Sequence, residues 1–312
     1  MSRFNSAPWC LNGHLHTILC SLLFESPALQ SKRETIITPD DDFLDLDILE
    51  TENASKTLVL FHGLEGSSKR YYITRMAESA YSRGWNVVAV NWRGCSGRLN
   101  KQKRFYHSGE TKDPDTILSW VQNRFPNTVI TGAGFSLGAS ALLNYLAEKG
   151  TNTPLSSFTA ISTPFDLKSG SLLLEKGFNK IYTHYFLSSL KEKLKEKSTS
   201  TNGLPGFSGS TLYDFDDQVT APLHGFDNAD HYYSSCSSGN KLEHIKIPVL
   251  LIHSKEDPIC PYTDIPMNVV AENPNIELIL TESGGHVGFW SLPPGWIETT
   301  TCNYIEKIAG EF

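Results

Sequence analysis

Short apolar runs rich in β-branched residues recur along the chain and alternate with segments of helical periodicity. The runs are almost continuously hydrophobic, which is typical of strands buried on both faces of a parallel sheet. They lie at residues 57–61, 86–90, 128–131, 158–162, 248–253 and 276–280. Residues 43–49 (FLDLDIL) instead alternate apolar and acidic positions. That alternation favours a half-exposed antiparallel strand at an edge of the sheet.

Helical segments separate these predicted strands. Residues 71–83 place apolar side chains on one face, and Gly84 then ends the helix. Asp113 followed by Pro114 predicts the start of a second helix. A third helix follows residue 136, with apolar positions at i, i+3, i+4 and i+7. Strands that alternate with helices predict an α/β fold, a mostly parallel central sheet with helices on both faces.

One region interrupts the alternation. Residues 165–246, between two predicted strands, contain no clear strand but include a helical stretch near 182–197 and a Ser/Thr/Gly/Pro-rich segment at 198–210. We interpret 165–246 as an inserted helical cap, or lid. Residues 1–164 and 247–312 then form the core domain.

A serine stands between two glycines where a predicted strand gives way to a predicted helix, at residues 134–138 (GFSLG). A tight strand-to-helix turn forces such a serine to project its hydroxyl, and Gly134 and Gly138 leave room for the neighbouring strand and helix. The pattern occurs once in the chain. It predicts a nucleophile elbow with Ser136 as the nucleophile, whereas the competing interpretation is a glycine-rich turn with a bystander serine.

A nucleophilic serine needs a base and an acid, which follow it in that fold in the order serine, acid, histidine. Asp257 comes directly after the 248–253 strand, and His286 follows the last strand between glycines. Both residues have competitors. For the acid these are Glu256, Asp227 and Asp230, and for the base His253, which lies inside a strand and is more typical of a structural residue.

Acyl transfer also needs two backbone N–H groups directed at the developing oxyanion. The residue after the nucleophile, Leu137, supplies the first candidate. Leu64 supplies the second, because it lies in a glycine-containing loop (residues 61–66, FHGLEG) after the first buried strand. We expect the His62 side chain to brace that loop and not to react.

Composition and charge narrow the function classes. The chain has 312 residues, a formal net charge of −7 and a pI of about 5.8, so it has no basic footprint for nucleic acid. No run reaches the roughly 18–20 apolar residues of a spanning helix. The short apolar stretch 17–24 (TILCSLLF) favours a packed N-terminal helix, with weak contact to a lipid surface as the alternative. Six scattered cysteines and the absence of a secretory leader favour a cytoplasmic protein.

Taken together, these motifs identify a resemblance. The chain resembles the α/β-hydrolase superfamily, and within it the YheT-like hydrolases, which are related to fungal medium-chain ester synthase/esterases and to animal α/β-hydrolase domain lipases. The resemblance covers almost the whole chain. Its motifs are NGHLHTI at 12–18, FHGLEGS at 61–67, WRGCSG at 92–97, YHSGE at 106–110, GFSLG at 134–138, TAPLHGF at 220–226, Asp257-Pro258 and GGHVGF at 284–289.

The resemblance implies a serine carboxylesterase with Ser136, Asp257 and His286 as catalytic triad, no metal and no cofactor. Short- to medium-chain acyl esters are the substrates it implies. Alternatives are an acyltransferase on the same triad, or a non-catalytic binding protein on the hydrolase fold. The chain departs from the family at Ala139, where glycine is usual, and at His16, where glutamine is common. The oligomeric state and the role of the 12–18 motif stay open.

We also consider aromatic and apolar side chains of the cap as walls of an acyl pocket. Packing inside the cap is the alternative fate for each of them. The set is Phe178, Tyr182, Tyr185, Phe186 and Leu187.

Overall fold

An eight-stranded sheet forms the centre of the molecule in the computed structural model, which describes residues 3–310. The strands are β1 (Lys32–Ile37), β2 (Phe43–Leu49), β3 (Lys56–Phe61), β4 (Asn86–Asn91), β5 (Val129–Phe135), β6 (Ser157–Ile161), β7 (Val249–Ser254) and β8 (Ile276–Thr281). Their order across the sheet is β1-β2-β4-β3-β5-β6-β7-β8. The pairs β1–β2 and β2–β4 are antiparallel and all the others are parallel.

Helices cover both faces of this sheet. They are α1 (Gly13–Leu23), α2 (Tyr71–Tyr81), α3 (Lys112–Arg124), α4 (Leu137–Lys149), α5 (Leu167–Leu174), α6 (Lys180–Ser198), α7 (Leu212–Phe215), α8 (Ala221–His224), α9 (Ala229–Cys236), α10 (Met267–Glu272) and α11 (Trp296–Ala309). Short 3₁₀ turns lie at Gly177–Asn179, Ser238–His244 and Tyr262–Asp264, and a π-helical turn at Asp216–Thr220.

The hydrophobic core has two layers because successive strand residues point to opposite faces. In β3, Val59 packs with α3 and α4, whereas Leu58 and Leu60 pack with α2 and α11. All three are fully buried. The α/β class, the parallel sheet and the two helical layers predicted from the hydrophobic pattern are confirmed.

Strand β2 differs from its prediction as a half-exposed edge strand. β1 pairs with its outer side, and most of its residues are buried. Its acidic positions are buried through ion pairs, since Arg33 bonds Asp47 at 2.7 Å and Arg98 bonds Asp45 at 2.8 Å. The alternation of apolar and acidic residues in β2 therefore reflects carboxylates that are paired with arginines, and not a face exposed to solvent.

The start of α3 also differs from its prediction. The helix begins at Lys112, after Thr111, so Asp113 lies inside the first turn. The Asp113 carboxylate instead bonds the buried guanidinium of Arg93 at 2.7 Å through both oxygens. Arg93 also bonds Asp42 at 2.7 Å. Arg93, from the WRGCSG motif, thus ties the β1–β2 turn to α3.

Between β6 and β7 the described chain is helical, with α5 to α9 in residues 165–246 and no strand. These helices pack on one another through two small apolar clusters, one around Tyr232 and one around Phe215. We refer to residues 165–246 as the 165–246 segment. Within residues 3–310, no helix is both long and apolar enough to cross a membrane.

Candidate active site

Ser136 lies in the turn that joins β5 to α4, in a strained left-handed conformation with φ 54° and ψ −120°. The flanking glycines are required by contact. A Cβ on Gly138 would lie 2.5 Å from the Phe61 carbonyl oxygen, and one on Gly134 would lie 2.8 Å from the Ala139 backbone. Neither distance is compatible with a side chain. The predicted turn is therefore present, with the serine at its apex.

The structure brings the three residues of the predicted triad together. Ser136 Oγ lies 2.8 Å from His286 Nε2, and His286 Nδ1 lies 3.0 Å from Asp257 Oδ2. An ionised carboxylate can only accept, so Nδ1 carries the proton and Nε2 of the neutral ring accepts from the serine hydroxyl. The three side chains come from three loops at the carboxyl edge of the sheet, after β5, β7 and β8.

Asp257 is fully buried, yet it remains a good acceptor. Its Oδ1 accepts hydrogen bonds from the backbone N–H groups of Ile259 and Cys260, each at 2.9 Å. Burial alone would raise the pKa of this carboxyl, but His286, His253 and the Cys260 amide lower the pKa below its usual value. The ionised form that must hold His286 is thus favoured.

The competing residues lie outside this arrangement. Glu256 is exposed, Asp230 pairs with Lys168 at 2.9 Å, and Asp227 pairs with His231 at 3.0 Å. His253 is buried behind Asp257, where its Nε2 donates to the Cys260 carbonyl at 2.9 Å. Burial lowers the pKa of His253, which keeps its ring neutral.

The two predicted oxyanion donors flank Ser136. Leu137 is the first residue of α4, where backbone N–H groups have no partner within the helix and the helix dipole favours negative charge. Leu64 follows Gly63, whose added Cβ would lie 3.0 Å from the Ser136 Cβ. The loop turns at once, with Gly66 N–H bonded to the Gly63 carbonyl at 3.0 Å.

His62 braces the Leu64 loop, as the sequence analysis expects. Its Nδ1 donates to the Gly63 carbonyl at 2.7 Å, and its Nε2 accepts from the Trp92 N–H at 3.2 Å. Burial lowers the pKa of His62 to about 3, so the ring is neutral and both nitrogens are committed. His62 is therefore unsuited to act as the base.

A cavity of about 500 Å³ opens onto Ser136 and His286. Tyr182, Tyr185 and Phe186 of α6 line it, as the pocket prediction requires. Two other members of the predicted set do not: Phe178 packs on His14, and Leu187 is buried inside the 165–246 segment. A more polar cleft of about 840 Å³ elsewhere contains neither Ser136 nor His286.

Helix α1 supplies the opposite wall of the cavity, which the sequence alone did not predict. Ile18, Leu22 and Phe24 line it, and Leu22 is 72% exposed at its rim. The apolar stretch 17–24 contained this signal, but its length and composition did not show which surface it faced. Residues 17–23 are helical, as the favoured interpretation of a packed N-terminal helix expects, but of residues 17–24 only Cys20 is buried.

The 12–18 motif supports the loops that carry Asp257 and His286. Thr17 Oγ1 accepts from the His286 backbone N–H at 2.8 Å and donates to the Gly13 carbonyl at 2.7 Å. A Cβ on Gly13 would lie 1.7 Å from the Glu256 carbonyl oxygen, and one on Gly285 would lie 2.4 Å from Thr17 Oγ1. Helix α1 thus approaches the loops after β7 and β8 so closely that no side chain fits at Gly13 or Gly285.

His16 of the same motif has a structural position. Its Nδ1 accepts from the Trp290 N–H at 3.2 Å, and its Nε2 lies 2.9 Å from Ser6 Oγ. Burial lowers the pKa of His16 to about 4, so the imidazole is neutral. A glutamine amide could also accept from Trp290, which explains why either residue can occupy this position.

The donor set around His286 does not suit a metal ion. Within residues 3–310, the group of possible ligand atoms close enough to share an ion is that of Asp257, Cys260 and His286. Both ring nitrogens of His286 are already engaged with Ser136 and Asp257. Burial raises the pKa of the Cys260 thiol well above its ordinary value, whereas a metal requires the thiolate.

Comparison with known proteins identifies the class that this fold and site define. The family model described as alpha/beta hydrolase fold matches residues 56–293, and the chain belongs to that family. Among solved structures, an esterase of Pyrococcus furiosus, Pf2001, superposes with a TM-score of 0.63 over 90% of this chain and 92% of its own, at 19% sequence identity. At that identity the likeness shows the fold alone.

Within the family, the chain belongs to the YheT-like esterase and lipase group. It is 36% identical over 309 residues to the esterase candidate YheT of Escherichia coli strain K12, covering 94% of this chain and 90% of that protein. It is 29% identical to human phospholipase ABHD3, over 97% of this chain and 76% of that protein. It is 28% identical to a monoacylglycerol lipase of Saccharomyces cerevisiae, over 90% and 64%.

Proposed function

We propose that the chain is a serine carboxylesterase that hydrolyses short- to medium-chain acyl esters. The observation that carries the proposal is the 2.8 Å contact between Ser136 Oγ and His286 Nε2, with Asp257 on the far side of the ring. The cavity of about 500 Å³ above them falls within the roughly 300–1,000 Å³ range of small-molecule sites. The names of the relatives, an esterase candidate, a phospholipase and a monoacylglycerol lipase, support the same reaction class.

In this mechanism His286 takes the proton of Ser136 as the hydroxyl attacks the acyl carbonyl. Asp257 fixes the tautomer of His286 and stabilises the imidazolium that forms. The amides of Leu64 and Leu137 bind the tetrahedral oxyanion. His286 then protonates the departing alcohol, and water activated by the same ring releases the acid from the acyl-enzyme.

In this proposal the 165–246 segment is a cap that shapes the acyl pocket through Tyr182, Tyr185 and Phe186. The rim of the cavity also exposes Leu22, at 72%, and Ile181, at 50%. We propose that this rim makes weak contact with lipid surfaces when the ester substrate lies in a lipid surface.

Six free cysteines, five of them buried, suit a reducing cytoplasm, and cell fractionation checks that location.

The decisive experiment is kcat/KM across a series of p-nitrophenyl esters from acetate to palmitate, with Ser136→Ala as the inactive control. We expect a maximum at short to medium chains and a loss of roughly 10⁴-fold or more in the variant. Activity that survives Ser136→Ala would overturn the proposal.

Added ethanol identifies an acyltransferase if the ethyl ester forms. Leu22→Ser should lower turnover of esters carried in vesicles more than turnover of soluble esters, and an equal effect on both would exclude the lipid contact.

A further inference from the structure

The Glu65 carboxylate is buried in the turn directly after the proposed oxyanion donor Leu64. Its side chain is 2% exposed, and three groups bond it. Lys193 Nζ lies 2.6 Å from Oε1, the Tyr106 hydroxyl 2.9 Å from Oε1, and the Ser189 hydroxyl 2.6 Å from Oε2. A buried carboxylate is tolerated only when it is paired and hydrogen-bonded in this way.

The backbone of Glu65 is also held by hydrogen bonds from side chains. Glu65 has φ 52°, a left-handed conformation that is unfavourable for a non-glycine residue. Its N–H donates to the Tyr106 hydroxyl at 2.8 Å, and its carbonyl accepts from Arg70 at 3.0 Å. Arg70 in turn donates to the Tyr185 hydroxyl at 2.6 Å. The two peptides on either side of Glu65, which directly follow the Leu64 amide, are thus held by side chains.

Three of these contacts come from one helix. Tyr185, Ser189 and Lys193 are spaced by four residues in α6, so they share one face, and that face lies on the Leu64 loop. Burial opposes the charge of Lys193, but Cys95 and Glu65 beside it raise the pKa of its ammonium above the ordinary value. Tyr185 and the adjacent Phe186 also line the cavity. One helix therefore touches both the substrate space and the oxyanion loop.

We propose that Glu65 is a positioning residue that couples α6 to the oxyanion hole, so that the Leu64 amide is aimed at the oxyanion only while α6 is docked. This inference rests on the proposed esterase mechanism and deepens it. A substrate that packs against α6 stabilises the docked helix and thereby the competent geometry of the Leu64 loop. The specificity of the cap and the chemistry of the hole are then linked through the Glu65–Lys193 pair.

The test compares Lys193→Met with Lys197→Met. Both variants remove a buried ammonium from α6, but Lys197 bonds Asn100 at 2.5 Å and makes no contact with Glu65. We measure kcat, KM and the inhibition constant of an aliphatic trifluoromethyl ketone, whose adduct with Ser136 places an oxyanion in the hole. For Lys193→Met we expect kcat to fall about tenfold to a hundredfold, less than or equal to the roughly 10²–10³ for losing the donor itself.

The inhibition constant should rise in proportion to the fall in kcat, because both report oxyanion binding, whereas Lys197→Met should change each less than about twofold. Glu65→Gln combined with Lys193→Met should lose less than Lys193→Met alone, since no unpaired charge stays buried. Ser189→Ala, a smaller change, gives the same parallel shift if Lys193→Met fails to fold. Equal effects of both lysine variants, or a fall in kcat without a change in inhibitor binding, would overturn the coupling. Ser136→Ala sets the baseline: activity remaining there refutes the esterase mechanism itself.

Discussion

At the scale of single residues, Ser136 is freed for chemistry by the conformation that strains it. A serine directly before a helix usually caps it with its own hydroxyl. Ser136 makes no such bond, because φ 54° turns the side chain away from α4 toward His286. The strain, of order 1–3 kcal/mol, is held by backbone bonds from Ser136 N–H to the Ile161 carbonyl at 2.8 Å and from Ser140 N–H to the Ser136 carbonyl at 3.0 Å.

Asp257→Asn should lower kcat by roughly 10⁴ with little change in stability or KM. The amide can donate to His286 Nδ1, which favours the ring tautomer with its proton on Nε2 and leaves no acceptor for the serine hydroxyl. The measurement is steady-state kinetics on the best p-nitrophenyl ester. Glu256→Gln is the matched control, because it makes the same chemical change at an exposed neighbour. Comparable losses in the two variants would show that Asp257 is not the acid.

At the scale of elements, α1 is a buttress for the loops that carry Asp257 and His286. Gly13 of α1 contacts the loop after β7. Thr17 of α1 contacts the loop after β8, where Gly285 and Gly288 lie against the helix. A Cβ on Gly288 would lie 2.5 Å from the His16 carbonyl oxygen. Because these contacts are close and each involves the backbone of a loop, small displacements of α1 are transmitted to the neighbouring Asp257 and His286.

Gly13→Ala should therefore lower both the melting temperature and kcat. The added methyl would have to displace the Glu256 carbonyl, which lies 1.7 Å from the Cβ position, and Asp257 follows that residue. A displacement of about 1 Å near the chemistry can cost on the order of 10²-fold in rate. Gly206→Ala is the control, since a Cβ there meets nothing within 4 Å. Thermal unfolding and kcat are measured on both, and an unchanged kcat in Gly13→Ala would contradict the buttress.

Some elements of the fold could be predicted from the sequence and others could not. The buried parallel strands, the turn at Ser136 and the loops of Asp257 and His286 follow from local hydrophobic runs, glycine spacing and chain order. β1 was missed because its sequence, KRETII, is half polar and gains its place only by pairing with β2. The contacts of Thr17 and of Glu65 were missed for a similar reason: each depends on a partner more than 100 residues away.

At the scale of the whole molecule, buried neutral histidines make stability depend on pH. Burial lowers the pKa of His16 and His107 to about 4 and that of His62 to about 3. The unfolded chain binds protons at these rings below about pH 6.5, whereas the folded chain does not until near pH 4. The unfolded state therefore binds more protons in that window, and the free energy of unfolding falls as the pH drops from 6.5 to 4.

His16→Gln should remove about one proton from this dependence, a slope of roughly 1.4 kcal/mol per pH unit. Glutamine keeps an acceptor for the Trp290 N–H but does not titrate. Urea unfolding at several pH values between 4 and 6.5 gives the slope for wild type and variant. His244→Gln makes the same substitution at an exposed histidine and is the control. Identical slopes for wild type and His16→Gln would show that this ring already titrates in the folded protein.

The bond between Thr17 and His286 joins residues 269 positions apart in the chain. Neighbouring strands can pair through crossovers of a few dozen residues, whereas this closure requires ordering nearly the whole polypeptide, and such non-local contacts form slowly. On a ribosome the elbow at residue 136 is made long before the base. Under the proposed mechanism, a nascent chain that carries Ser136 but not yet His286 cannot hydrolyse esters. In refolding experiments, esterase activity should return after the secondary structure.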